Sequence, residues 1–307
     1  MEQDVSDSID FSVIVPTHHR PSQLAACLDA LANLHYPSTK FEVIVVDDGS
    51  EVSAEPVVAQ YRERLQVTLR SQPHGGPAQA RNAGAKISRG RFLAFTDDDC
   101  APAPDWLDEL AAQLNGGSNQ VVGGRTVNAL SENVFATASQ SLISYLCDYY
   151  NADPKKARFL VSCNLALPAE SFRSVGGFDP AYPRAAAEDR DLCERLRLRG
   201  CGMMYASQAV VYHRHPLKLS TFWWQHFGYG RGAWRFQRAH RGRSGQGIRI
   251  EPAPFYTGMA FHPFRQGGIL RSLSLAALLL LSQVANVAGF LCESALQKTR
   301  RNTSSVR

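Results

Sequence analysis

The sequence predicts an α/β fold built on a mostly parallel, doubly wound open sheet, and three observations support it. Short apolar runs rich in β-branched residues recur at Phe11–Val15, Phe41–Val46 and Arg91–Thr96, which suits strands covered on both faces. Segments with helical spacing separate these runs. Two of the runs lead directly into acids, Asp47 and Asp48 after the second and Asp97, Asp98 and Asp99 after the third. In such sheets ligands sit beyond the carboxyl ends of the strands.

Taken in order, the first ten residues (MEQDVSDSID) are acidic and lack the basic and apolar regions of a secretory signal, so a disordered, cytoplasmic start (1–10) is expected. After the first run, Leu24, Cys27, Leu28, Leu31 and Leu34 recur at helical spacing between Gln23 and Leu34. Pro77–Ile87 reads as a second helix, with Pro at its start and Ser88, Arg89 and Gly90 closing it. Residues 11–115 therefore form one half in which five carboxylates converge on one crevice. Asp-Gly-Ser after a strand is ordinary turn chemistry. Three consecutive acids repel one another unless a cation or solvent compensates, which favours a metal and nucleotide site over a solvated loop.

Residues 116–235 are less regular and are expected to carry acceptor contacts. Their most informative stretch ends in AAAEDRDLCERLRLRG. Leu192, Cys193, Leu196 and Arg199 fall on one side of a helix, and Gly200 sits where a C-terminal cap belongs. Glu188 and Asp189 occupy the first turn, where the helix dipole favours ionised acids. Spacing alone leaves them open between common helix-start acids and a functional pair.

The last section, 236–307, reads as a basic linker and an apolar helix. Leu273–Leu291 is just long enough to span a bilayer but is interrupted by Ser274, Ser282, Gln283 and Asn286. Its flanks are basic on both sides, Arg265 and Arg271 before it and Lys298, Arg300, Arg301 and Arg307 after. A single span favours asymmetry of charge. A helix lying on the cytoplasmic leaflet or packed on a partner is therefore expected over a true span, with a buried core helix as the alternative.

Composition sets the outer bounds. With 307 residues and 44% hydrophobic content, the chain is long enough for a large core. The formal charge of +5 is concentrated late: Arg231, Arg235, Arg238, Arg241, Arg243 and Arg249 fall in a stretch without an acid. Such a stretch meets phosphates, anionic headgroups or solvent. No DNA- or RNA-binding module accompanies it, so nucleic-acid binding is not expected. Seven scattered cysteines show no zinc or dithiol spacing and suit a reducing compartment.

Four motifs in order, SVIVPTHHR, VIVVDDGS, FTDDDC and GGFDPAYPRAAAEDRDLCERLRLRG, resemble those of family 2 glycosyltransferases of the GT-A fold. The resemblance runs from about Phe11 to about Arg235. It implies a Rossmann-like nucleotide-binding sheet with flanking helices, here followed by a C-terminal helical segment expected to associate with a membrane. It also implies roles. Pro16, Thr17 and Arg20 would line the nucleotide pocket, Asp48 would bond the base, and Arg81 would touch base or phosphates. Asp97 or Asp98 would approach the ribose, and Asp99 would ligate Mn²⁺ or Mg²⁺ on the diphosphate. His213, or else His215, would add a metal or diphosphate contact.

Asp189, beside Glu188, would be the general base of an inverting transfer. Arg231, bracketed by glycines in GYGRGAW, would close over the diphosphate as part of a loop. The processive signature of the family is absent after Gln225, which favours transfer of one sugar at a time. The expected partners are a UDP-, GDP- or dTDP-sugar and a carbohydrate or lipid-linked acceptor of surface polysaccharide or glycolipid synthesis, at the inner face of the cell membrane. Two alternatives remain: a nucleotidyltransferase, which would want a glycine- and lysine-rich loop early in the chain, and a non-catalytic scaffold, which the intact acids oppose.

Overall fold

The computed structural model describes residues 8–116, 119–182, 186–244, 250–265 and 268–304. Most of the N-terminal stretch expected to be disordered, together with Arg249 and Arg307, lies outside these residues. In chain order the elements are β1 (Phe11–Thr17), α1 (Pro21–Ala32), β2 (Phe41–Asp48), α2 (Glu55–Val58), β3 (Val67–Gln72), α3 (Pro77–Ile87), β4 (Phe92–Phe95), β5 (Cys100–Pro102), α4 (Trp106–Leu114), β6 (Gln120–Asn128) and α5 (Val134–Tyr150). There follow β7 (Leu165–Pro168), α6 (Ala169–Ser174), α7 (Glu188–Leu198), β8 (Gly202–His213), α8 (Leu219–Ser244), α9 (Ala253–Phe261) and α10 (Ile269–Ser304).

One sheet runs in the order β3-β2-β1-β4-β7-β6-β8-β5. The β3-β2-β1-β4 half is parallel throughout, β7 is antiparallel to both its neighbours, and β6 pairs parallel with β8. Alternation along β1 serves two cores at once: Phe11, Val13 and Val15 pack with α1 and α4 on one face, while Ile14 packs with Ala78 and Ala85 of α3 on the other. The chain leaves β1 toward β2 and β3, then returns to the opposite side of β1 as β4. The carboxyl ends of β1 and β4 therefore flank the topological switch point, where this architecture opens a crevice.

Beyond the sheet, α8 and α10 run side by side in the same direction, with Phe222 near Leu275, Arg231 on Glu293 and Arg238 on Gln297. Gly230 and Gly289 sit where they cross, and a Cβ at either would fall inside the van der Waals radius of a backbone carbonyl oxygen, of Asn286 and Phe227 respectively. The expected boundary at 235/236 lies inside α8. The stretch around Arg231 is helical and not a loop, because neither helix has room to depart from the other there.

Candidate active site

The crevice is built from strand ends. Thr17, at the end of β1, donates its hydroxyl to Asp98 Oδ2 at 2.8 Å, so the first and third acidic motifs meet across the switch point. Pro16 stays in β1 opposite Val46, where its missing N–H is tolerated. Arg20, just past β1, places Nη1 3.2 Å from Asp98 Oδ1 and 3.0 Å from Asp99 Oδ2. Burial pushes the Asp98 carboxyl up to about 6, against the pull of Arg20.

Asp99 meets two histidines for a reason of register. β5 pairs antiparallel with β8, setting Cys100 opposite His213, and the Arg214 N–H donates to the Asp99 carbonyl at 2.8 Å. His213 Nε2 lies 3.2 Å from Asp99 Oδ1 and His215 Nδ1 lies 3.2 Å from Asp99 Oδ2. Two residues apart in extended chain, the rings fall on one side and stack with centroids 5.4 Å apart. One ligand atom from each of the three residues lies within 4.8 Å of the others, a span that fits a single divalent ion. Burial would raise Asp99, but hydrogen bonds from His213 and His215 and the charge of Arg20 hold it well below the usual carboxylate range. Burial would lower His213, yet Asp99 lifts it to about 9. The two candidate histidines are thus both at the acid, and the donor set is one carboxylate with two imidazoles.

The remaining sequence candidates divide. Glu188 and Asp189 open α7, preceded by Ala187 in the left-handed region at φ 69°, a strained placement for a residue with a Cβ. Asp189 Oδ1 accepts from the Arg190 N–H at 2.7 Å and Oδ2 from the Ser162 N–H at 3.4 Å. Glu188 accepts from the Ala186 N–H at 2.6 Å and from Arg81 Nη1 at 3.0 Å. Arg81, on α3, does not face an open pocket. It is 1% exposed and clamps Asp97 with Nη2 at 2.7 Å while holding Glu188 with Nη1, over the ring of Phe178. Burial and the neighbouring Asp189 lift Glu188 to about 7 against Arg81, and burial lifts Asp189 as well.

Asp48 holds the loop that follows β3. Its carboxylate accepts from Gln72 Nε2 and from the N–H groups of Gly75 and Gly76 at 2.7 to 2.9 Å. Asp47 likewise accepts from the N–H groups of Ser50 and Ala54. Of the five converging acids, then, two shape loops and three form the cluster. Arg231 lies in helix α8 and not in the expected loop, and its Nε lies 2.7 Å from the buried carboxylate of Glu293 on α10. Neighbours follow suit, with Arg235 on Glu293 and Arg243 on Asp191 and Glu194. Much of the basic stretch is therefore spent within the chain. Sequence reasoning missed Asn164, fully buried, which accepts from Trp106 Nε1 and donates to the carbonyls of Arg125 and Ala209. It pins the β6–β8 bulge beside the site, and no spacing signal marks it.

Similarity agrees with this geometry. The glycosyltransferase AglE of Haloferax volcanii is 34% identical over 170 residues, 54% of this chain and 55% of that protein. The hyaluronan synthase of Pasteurella multocida is 37% identical over 243 residues, 68% of this chain but 25% of that protein. The chain thus spans about half or less of the length of these relatives. Among solved structures, the mannosyltransferase PcManGT of Pyrobaculum calidifontis, in complex with GDP-Man and Mn²⁺, superposes with a TM-score of 0.62 at 20% identity, covering 97% of this chain and 81% of that one. Residues 1–349 of Staphylococcus aureus TarS give 0.56 at 18% identity over 95% and 92% of the two chains. These likenesses show the GT-A fold. The family model described as glycosyl transferase family 2 matches residues 12–176, more than half of the molecule, and the chain belongs to that family.

Proposed function

We propose that the chain is an inverting, metal-dependent glycosyltransferase that moves one sugar from a nucleoside-diphosphate sugar to an acceptor hydroxyl. The observation that supports it best is the Arg81 bridge, which joins the acidic cluster at the switch point to the acid pair of α7. Asp99, His213 and His215 would hold the divalent ion, whose contribution is to neutralise charge gathering on the departing diphosphate. Two imidazoles beside one carboxylate favour Mn²⁺ over Mg²⁺, which prefers oxygen ligands.

Asp189 then has the base's task. As the acceptor oxygen bonds to the anomeric carbon and the bond from that carbon to the diphosphate oxygen breaks, the hydroxyl proton passes to Asp189. Its raised proton affinity suits that role near neutral pH. Glu188, paired with Arg81, positions the first turn of α7. Attack from the face opposite the leaving group inverts the anomeric configuration. The donor class is supported by the complexes of related folds, TarS with UDP and with UDP-GlcNAc and PcManGT with GDP-Man.

The same reading places the chain on the inner surface of the cell membrane. Ile269–Lys298 is long and apolar enough to cross a membrane. Yet it is tied along its length to the catalytic body, by Arg271 Nη2 on the Ser131 carbonyl near its start and by Glu293 and Gln297 on α8 arginines toward its end. Its inward face mixes leucines, Leu275 and Leu279, with polar residues, and its outward face is apolar. Ser272, Ser282, Ala285 and Glu293 face inward, buried, while Leu273, Leu280, Val284, Val287 and Leu291 are more than half exposed. Those features favour a helix lying in the membrane plane.

The test is a donor screen. The purified chain is incubated with UDP-, GDP- and dTDP-sugars in Mn²⁺, Mg²⁺ or EDTA, and released nucleoside diphosphate is followed beside nucleotide binding. Metal-dependent release from one donor, lost in Asp99→Ala, is the expected result. Absence of both release and metal-dependent nucleotide binding would refute the reading.

A further inference from the structure

A cavity of about 380 Å³ lies between α8 and the residues leading into α7, lined by Tyr182, Ala186, Trp224, Phe227, Arg231 and Arg235 among others. Its wall reaches the acid pair, since the Ala186 N–H donates to Glu188 Oε2. Most of the lining is apolar, yet two arginines enter it. They share one carboxylate: Glu293 accepts from Arg231 Nε at 2.7 Å and from Arg235 Nε at 3.0 Å. Two arginines at the cavity wall against the one carboxylate behind them leave one positive charge in excess, beside mostly apolar lining where an anion is held more strongly than in water.

The cavity does not end at Trp224. That side chain, 61% exposed, also lines a second, mostly apolar groove of about 690 Å³ with Leu219, Trp223 and Leu281, and with Lys218 and Ser220 at its edge. Leu281 belongs to α10, whose outward face is apolar. The two adjoin at Trp224, so the indole stands between a cavity that carries the arginine pair beside the acid pair and a groove that reaches the helix read above as lying on a membrane.

Resting on the transferase reading, we infer that the cavity and the groove together are the acceptor site and that the acceptor is carried on a lipid through a phosphate. The phosphate pairs with the excess charge of Arg231 and Arg235, the first carbons of the chain lie over Trp224, and the sugar or head hydroxyl extends toward Asp189. A carbohydrate without a lipid would have no use for the second groove.

The probe is decyl phosphate below its micellar concentration, titrated calorimetrically into the full chain without donor, against inorganic phosphate and neutral decyl maltoside. Decyl phosphate is expected to bind at least tenfold more tightly than either. Arg231→Gln removes the excess charge while leaving the Arg235–Glu293 pair, and is expected to weaken binding about tenfold; Trp224→Ala, at an exposed position, is expected to weaken it several-fold. Melting temperatures report whether each variant is folded. Equal binding of decyl maltoside would overturn the phosphate assignment. Equal binding of inorganic phosphate, or indifference of decyl phosphate to both substitutions, would overturn the site. Metal-dependent binding of UDP or GDP to the wild type is measured in parallel. If it holds while decyl phosphate fails, only this inference falls; if it fails, the transferase reading falls with it.

Discussion

Arg81 shows how far a single residue departs from what its neighbours in sequence suggest. Its motif points to a nucleotide contact, but its guanidinium is closed between Asp97 and Glu188, the latter 107 positions away. A contact of that range leaves no local signature. The acids themselves were legible, since three consecutive carboxylates after a buried strand need a cation. Which of them faces ligand and which braces a loop was not, because the loop amides that occupy Asp48 and Asp47 are chosen by the fold.

Two predictions belong at this scale. Asp99→Ala is expected to lower metal-dependent turnover by at least about 100-fold, a loss of about 2.7 kcal/mol or more of transition-state stabilisation, checked by steady-state kinetics with Mn²⁺. The acid pair of α7 fixes a pH limb. Burial raises both proton affinities, and the neighbouring Asp189 adds to it at Glu188, so the base keeps its proton at acidic pH and kcat/KM rises with pH, with a midpoint above the usual carboxylate value. Arg81→Lys, which keeps the charge but cannot clamp both acids, is expected to move that midpoint upward. A limb at the ordinary carboxylate position would deny the base role to this pair.

At the scale of elements, the strands and helices read correctly were those with strong periodicity on one face. The parallel β1, β2 and β4 and the helices α1, α3 and α7 stand where their apolar patterns put them, α7 closing on Gly200 at φ 82°. β3 was invisible because it lies at the sheet edge and alternates half-buried with exposed residues. β6 and β8 carry a register shift at Gly124 and Arg125, which breaks the period that would reveal them. The glycines around Arg231 suggested a loop because Gly is costly in a helix; here Gly230 admits the close approach of α10 and Gly232 that of Ala186 ahead of α7. Gly289→Leu is therefore expected to destabilise the chain by about 1–3 kcal/mol, seen as a lower melting temperature and earlier proteolysis of α10.

His226 of α8 offers a second check on the same helix. It is buried beside Phe222, neither ring nitrogen has a partner among the described residues, and burial lowers it to about 4. Below pH 6.5 the unfolded chain takes a proton that the folded chain refuses. Stability should thus fall as pH drops from about 6.5 to 4, by up to about 3 kcal/mol. His226→Phe is expected to flatten that part of the profile in urea titrations, whereas an unchanged slope would assign it elsewhere.

For the whole molecule, composition and the apolar run near the C-terminus led to the expectation of a membrane surface, and the proposed reading takes its orientation from the outward face of α10. What the sequence did not disclose is that Arg231, Arg235 and Arg243 meet Glu293, Asp191 and Glu194, acids on other helices 49 to 62 positions away. Adhesion should accordingly depend on the outward leucines and valines more than on charge. The full chain is expected to float with vesicles containing anionic lipid, to persist through moderate salt, and to be released by the double substitution Val284→Asp, Val287→Asp. Flotation unaffected by that pair would assign adhesion to another surface.

The length of α10 has a mechanical corollary. A rod of 36 residues, about 54 Å, lying flat along a plane fixes pitch and height but not heading. The protein would spin and drift freely while its crevice rode at one constant altitude above the headgroups. On the proposed reading, each encounter with a substrate embedded in the same plane would become a search over an area and no longer through a volume, with the reach from surface to base set in advance like the stylus of a record player.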